Sequence, residues 1–153
     1  MRIVLFDTQD RHTLFPFTAT RPVADLLMGM LTIREKWQHF TSQNCEVLTE
    51  NYLQEERLTH SDDTLYINAH LYFNKDIASQ IISLPIETAL WQQSDLLAFR
   101  TNNEVAYPVL PEQWKHLKVQ NSKISVKLFR YPWELVEWNG EAIASDFEML
   151  TYN

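Results

Sequence analysis

Glycine is almost missing from this chain. Gly29 and Gly140 are the only two in 153 residues, where ordinary usage would supply roughly ten. The scarcity excludes the glycine-rich loops with which dinucleotide-binding and P-loop proteins bring backbone N–H groups against a phosphate. Any anion held here must therefore meet side chains or helix N-termini. Cysteine is scarcer: Cys45 alone allows no internal disulfide, which points to a cytoplasmic protein. Positive charge is short as well, with 13 Lys and Arg against 20 Asp and Glu and a net charge of -7. A nucleic-acid partner, which needs a basic face, is not expected. Long apolar runs are also lacking. The stretch from Met1 to Asp7 is too short for a signal-peptide core and far below a membrane span, so no membrane partner is expected.

What is present reads as one globular domain over residues 1–153. Hydrophobic residues make up 45% and charged residues 22%, enough apolar surface for a single core in a chain too short for two domains. The apolar run 2–6 predicts a buried strand closed by Asp7, followed by a loop over 8–13. Pro16 and Pro22 keep the next segment extended, and a short helix through Leu27 and Met28 should end at Gly29. Thr32 and Glu35 form a T-x-x-E capping box for a helix over 33–40, with Ile33, Trp37 and Phe40 on its inner face. A strand at 46–49, a short helix at 52–58 and an apolar strand at 64–69 then give a β-α-β-α-β order. That order predicts an α/β fold, a mainly parallel sheet with helices on both faces. Asn74 or Asp76 should cap a helix stopped by Pro85, and 88–91 with 96–100 should form an antiparallel hairpin. Beyond it come a helical turn at 112–117, a strand at 124–130, and a helical stretch from Pro132 broken at Asn139-Gly140. Trp133, Val136, Ile143, Phe147 and Leu150 would be the core face of that last stretch.

The chemistry concentrates between the first strand and the first capped helix. Arg21, Arg34 and Lys36 bring positive charge to an acidic protein, and Thr18, Thr20 and Thr32 bring hydroxyls. Ligands of open α/β sheets lie beyond the carboxyl ends of the strands, and a guanidinium can grip a phosphate through two parallel hydrogen bonds. Arg21 is the leading candidate, with a salt bridge to Asp7 or Asp25 as the structural alternative. Arg34 and Lys36 lie in a first helical turn, where the dipole disfavours cations unless an anion is near. Their alternative is solvent, or pairing with Glu35 and Glu50. Asn68 and His70 close the third strand at the same edge and are candidate ligand contacts. A single His with Asp62, Asp63 and Asp76 has no recognisable metal-ligand spacing. His12, His39, His60 and His116 are scattered without a pattern, Cys45 sits at a buried strand start, and no G-x-S-x-G turn exists. The five tryptophans read mainly as core, with stacking on a ligand open for Trp91, Trp114 and Trp138.

The run LFPFTATRPVADLLMGMLTIREKW at 14–37, the block Tyr66-Ile67-Asn68-Ala69, and the closing PWEL at 132–135 with DFEMLT at 146–151 together resemble a GlmU-related family of sugar nucleotidyltransferases of the Bacteroides type. The resemblance spans essentially the whole chain. It implies a shortened nucleotide-diphospho-sugar transferase-like (Rossmann-like) domain, and a following left-handed β-helix domain as a partner that these residues do not include. It implies transfer of a nucleotidyl group from a nucleoside triphosphate to a sugar 1-phosphate with release of pyrophosphate, aided by Mg²⁺. Thr18, Arg21, Arg34 and Lys36 become phosphate or nucleotide contacts, and Asn68 and His70 sugar contacts; self-association into a homo-oligomer stays open. The alternative implied by the departures from the family pattern is a degenerate sugar-nucleotide-binding or oligomerisation domain. Residues 7–13 replace a G-x-G-T-R-type loop without one glycine, Val23 stands where a lysine is expected, and Asn68-Ala69-His70 stand where a metal-binding aspartate is expected.

Overall fold

The computed structural model describes residues 1–54, 58–59 and 61–151. In chain order, β1 (Arg2–Phe6) leads through short 3-10 helices at Gln9–Leu14 and Val23–Asp25 to a small hairpin, β2 (Leu27–Met28) and β3 (Leu31–Thr32). Helix α1 (Ile33–Thr41), strand β4 (Cys45–Leu48), a turn at Asn51–Leu53, β5 (Thr64–Asn68) and α2 (Lys75–Ile82) follow. The chain ends with β6 (Thr88–Gln92), β7 (Asp95–Thr101), a turn at Pro111–Gln113, β8 (Lys118–Asn121), α3 (Pro132–Glu137) and α4 (Asn139–Thr151). Among the described residues no helix is long and apolar enough to cross a membrane.

The main sheet has the order β4-β1-β5-β7-β6-β8. β1 is parallel to both β4 and β5, β7 runs antiparallel to β5 and β6, and β8 is parallel to β6. Five strands thus point one way and β7 the other, the mainly parallel α/β arrangement expected from the strand-helix alternation. β1 lies inside the sheet between β4 and β5, and its side chains are buried on both faces. Ile3 and Leu5 enter one core with residues of α1, α2 and α4, while Val4 and Phe6 enter a second core with Tyr66, Phe99 and Leu117. That second face is closed by Val105, Leu117, Trp114 and neighbouring residues of the 105–117 segment, so its cover among the described residues is irregular chain and a 3-10 turn.

Local rules hold where the signal is chemical. Thr32 accepts from the Glu35 N–H and Glu35 accepts from the Thr32 N–H, so the capping box starts α1 as its spacing predicts. Asn74 caps α2 through the Asp76 N–H. The hairpin β6–β7 turns at Gln93, which takes a positive φ of 53°. Several elements depart from expectation. The helix through Leu27 and Met28 is instead the β2–β3 hairpin, with Gly29 at φ 84° supplying its turn. The strand at 124–130 is reduced to one bridge, Leu71 to Leu128. β8 has no counterpart among the expected strands, because Lys118, Val119, Gln120 and Asn121 carry little apolar alternation. The helix at 52–58 survives as the turn Asn51–Leu53, and its residues 55–57, like His60, lie outside the described residues.

The largest correction concerns α3 and α4. Trp133, Val136, Ile143, Phe147 and Leu150, the expected core face, are 42 to 75% exposed. The residues of α4 that turn inward are Ala142, Asp146 and Met149. A polar clamp sets this rotation: Lys36 Nζ lies 2.5 Å from Asp146 Oδ1, and Asp146 Oδ2 accepts from the N–H groups of Met30 and Leu31. Asn139 Oδ1, about two helical turns earlier on the same side, accepts from the Gly29 N–H. Four polar contacts on one side of α4 outweigh the apolar stripe beside them.

Candidate functional site

The carboxyl ends of the parallel strands meet at a cleft of about 200 Å³ lined by Phe6, Asn68, Trp91, Leu96, Trp114 and Arg130, with Asp10 and Asp95 on its walls. Phe6 ends β1, Asn68 ends β5 and Trp91 lies near the end of β6. Leu96 lies near the start of β7, which brings it to the same edge because β7 is antiparallel. This is where an open α/β sheet presents ligands, since strand ends and the loops leaving them diverge there.

Two tryptophans form an aromatic corner of the cleft. The rings of Trp91 and Trp114 meet edge to face at 4.8 Å and 66°. In the same cleft, Arg130 Nε reaches Asp10 Oδ2 at 3.0 Å and Arg130 Nη2 reaches Asp95 Oδ1 at 2.6 Å. Burial works against the Arg130 charge, but its bonds to the two carboxylates hold the guanidinium above its ordinary pKa. Asn68 donates from Nδ2 to Leu96 O at 3.0 Å and accepts at Oδ1 from the His70 N–H at 2.9 Å. One amide hydrogen and one lone pair of Asn68 remain for a ligand. Sequence reasoning points to Asn68 but misses Asp10, Asp95 and Arg130. Their contacts span 120 and 35 positions, so no local spacing announces them.

His70, expected beside Asn68, is 1% exposed and packs on Phe129 instead of lining the cleft. Its Nδ1 lies 3.1 Å from Phe129 O, an atom that only accepts, so Nδ1 carries the proton and Nε2 is left without a protein partner among the described residues. Burial drives the imidazole pKa down to about 4, so the ring is neutral at pH 7.

The four expected phosphate contacts do not come together. Thr18 is fully buried, donating to Arg11 O at 2.6 Å. Arg34 is held by Asp25, with Nη2 to Oδ2 at 2.9 Å. Lys36 is 2% exposed and spends its ammonium on Asp146 inside the core. Burial lowers its pKa, against the pull of Asp146. Arg21 alone of the four lines an open groove, of about 520 Å³, with Pro16, Phe17, Leu27 and Val136. Its guanidinium has no partner among the described residues.

The loop that leaves β1 is instead pinned from within. Asp7, fully buried, accepts from the Val23 N–H at 3.1 Å, from Thr49 Oγ1 at 2.6 Å and from Arg11 Nε at 3.1 Å. Arg11, equally buried, also donates to Thr18 O at 2.6 Å. The donors that a phosphate would seek at this strand end, a backbone N–H, a hydroxyl and a guanidinium, are gathered around the protein's own carboxylate. Sequence reasoning misses this pair, although an acid at a strand end with Arg four residues later is a readable signal. Burial pushes the Asp7 carboxyl above the usual range despite its three donors.

Mg²⁺ prefers several hard oxygen ligands, usually including free carboxylates. The donor set at the cleft does not suit that ion: Asp10 and Asp95 both bond the Arg130 cation, and Asn68 offers only a neutral amide. Among the described residues, no three His, Cys, Asp or Glu side chains are grouped to hold a metal.

No curated protein matches the chain at significant similarity. A family model described as sugar nucleotidyl transferase matches residues 3–153, nearly the full sequence, and a cleft at the carboxyl edge of a mainly parallel sheet accords with it; the chain belongs to that family.

Proposed function

We propose that the carboxyl-edge cleft recognises a sugar nucleotide, and that the reaction class of the domain is the joining of a nucleotidyl group to a sugar 1-phosphate with release of pyrophosphate. The carrying observation is the combination of aromatic corner, amide and charged triad in one cleft at the strand ends. A base or sugar ring packs on Trp91 and Trp114, a contact worth about 1–3 kcal/mol for a stacked base. Sugar hydroxyls bond the free valences of Asn68 and the carboxylates of Asp10 and Asp95. Arg130 is the cation available to a phosphate, which would have to displace one of its carboxylate partners.

A second reading is favoured by a separate observation. Asp7 takes the donors at the β1 end, and Arg130 stands where a metal would need free carboxylates. On this reading the domain keeps sugar-nucleotide binding and has lost transfer, and its kinship with the GlmU-related branch is one of ancestry.

Calorimetric titration with nucleoside triphosphates, sugar 1-phosphates and nucleoside-diphosphate sugars, with and without Mg²⁺, combined with a pyrophosphate-release assay, separates the two. Pyrophosphate release supports transfer and removes the second reading. Binding without release, weakened at least tenfold by both Trp91→Ala and Arg130→Ala, supports the second. Absence of binding by every ligand overturns both.

A further inference from the structure

The apolar side chains that α3 and α4 leave outside form a surface with both a ridge and a groove. Ile143, Phe147 and Leu150 share one flank of α4 and are 42, 60 and 44% exposed. Asn139, the first residue of α4, also lines the 520 Å³ groove in which Leu27 and Val136 are 58 and 75% exposed. The β2–β3 hairpin joins the two, because Gly29 is bonded to Asn139 and the next N–H, that of the 47% exposed Met30, to Asp146. Three of the five acids of these helices are engaged: Glu134 accepts from Arg130 N and Tyr131 N, Glu141 pairs with Lys127, and Asp146 is buried with Lys36, while Glu137 and Glu148 are exposed. Among the residues lining the groove, Arg21 is the one charged side chain.

We infer that this face is a two-fold interface between copies of this chain, the α4 ridge of each seated in the groove of the other. Ile143, Phe147, Leu150, Leu27, Met30, Val136 and Phe17, each 42 to 75% exposed, put seven large apolar side chains on this face, the composition of a protein-protein contact, which takes ~800 Å² from each partner at standard size. Within the groove Arg21 alone is charged, which favours an occupant ridge that is itself apolar. A ridge and a groove side by side on one surface meet the requirement of a two-fold contact, in which each patch must complement itself. An acidic partner would find only Arg21 to pair with in the groove.

Sedimentation velocity of this chain at about 100 μM tests the inference. The expected result is a dimer that Phe147→Glu and Val136→Arg each convert to monomer, with at least a hundredfold rise in the dissociation constant. Both positions are exposed, so unchanged thermal unfolding of the variants at low concentration shows that the fold is intact. Mixing the two variants should restore a heterodimer, since one ridge-groove contact is then unaltered and the other carries opposite charges. A monomeric wild-type chain, or a dimer indifferent to both substitutions, overturns the inference.

Discussion

Asp146 carries more of the structure than its place in an exposed C-terminal helix would suggest. It is 1% exposed and bonded to Lys36, Met30 N and Leu31 N, joining α4 to α1 and to the β2–β3 hairpin through one carboxylate. Removing one partner of a buried pair costs about 3–5 kcal/mol, because the other charge stays behind unpaired. Asp146→Ala should therefore lower the free energy of unfolding in urea by about that amount, and Asp146→Asn by less, since an acceptor oxygen remains for the two N–H groups. The pH dependence distinguishes a lost charge pair from lost packing. Burial already lowers the Lys36 pKa, and without Asp146 only the weaker pull of Glu35 opposes it. The unfolded chain then binds a proton that the folded state has shed, so the stability of Asp146→Ala should recover as pH rises toward 10. A loss that does not change with pH would assign the effect to packing alone.

At the scale of elements, the same junction explains why the β2–β3 turn needs glycine. Gly29 has φ 84°, and a Cβ at that position would lie 2.6 Å from Asp146 Oδ2 and 2.7 Å from the Ala142 carbonyl carbon. Backbone of α4 cannot move aside as a flexible side-chain tip can. Gly29→Ala should cost at least ~2 kcal/mol in chemical denaturation, the sum of conformational strain and a displaced helix. At the other glycine, Gly140, a methyl group would meet nothing within 4 Å, so Gly140→Ala should be neutral or mildly stabilising in the same measurement. These two positions also show which elements are legible in the sequence. β1, α1, β5, α2 and the β6–β7 hairpin are, because their signals are local: continuous apolar runs, a capping box, an Asn cap, a polar turn between two apolar runs. The β2–β3 hairpin looks like the end of a helix because Leu27, Met28 and Gly29 fit either reading until Asp146, more than a hundred positions away, is in place. The inward face of α4 is misread for the same reason: periodicity reports where apolar residues recur, and a buried carboxylate chooses the face.

For the molecule as a whole, the sheet edge is legible and the identity of its side chains is not. The β-α-β order places ligands beyond the strand ends, and Asn68 is found there, but the cleft is completed by Arg130 and Trp114 from segments without a sequence signature. Local crowding of Thr18, Arg34 and Lys36 suggests a pocket, whereas each has a partner inside the fold. His70 turns from a ligand candidate into a determinant of the acid stability of the whole protein. Its ring is fully enclosed, and burial depresses its pKa from 6.5 to about 4, with the nearby Arg130 and Arg11 adding to the effect and Asp10 and the Phe129 carbonyl opposing it. Between those two values the unfolded chain binds a proton at His70 that the folded chain refuses. Stability is therefore complete above pH 6.5 and falls as the pH drops toward 4, by about 3 kcal/mol in all. Asp7 acts with the opposite sign, because burial raises its folded pKa and the folded state takes up that proton first. Urea unfolding of wild type and His70→Gln at about pH 7 and about pH 4.5 isolates the histidine: the variant is expected to be less stable at neutral pH yet to lose about 2 kcal/mol less on acidification. Parallel losses in the two proteins would mean that His70 is protonated in the fold and that another group governs the acid limb.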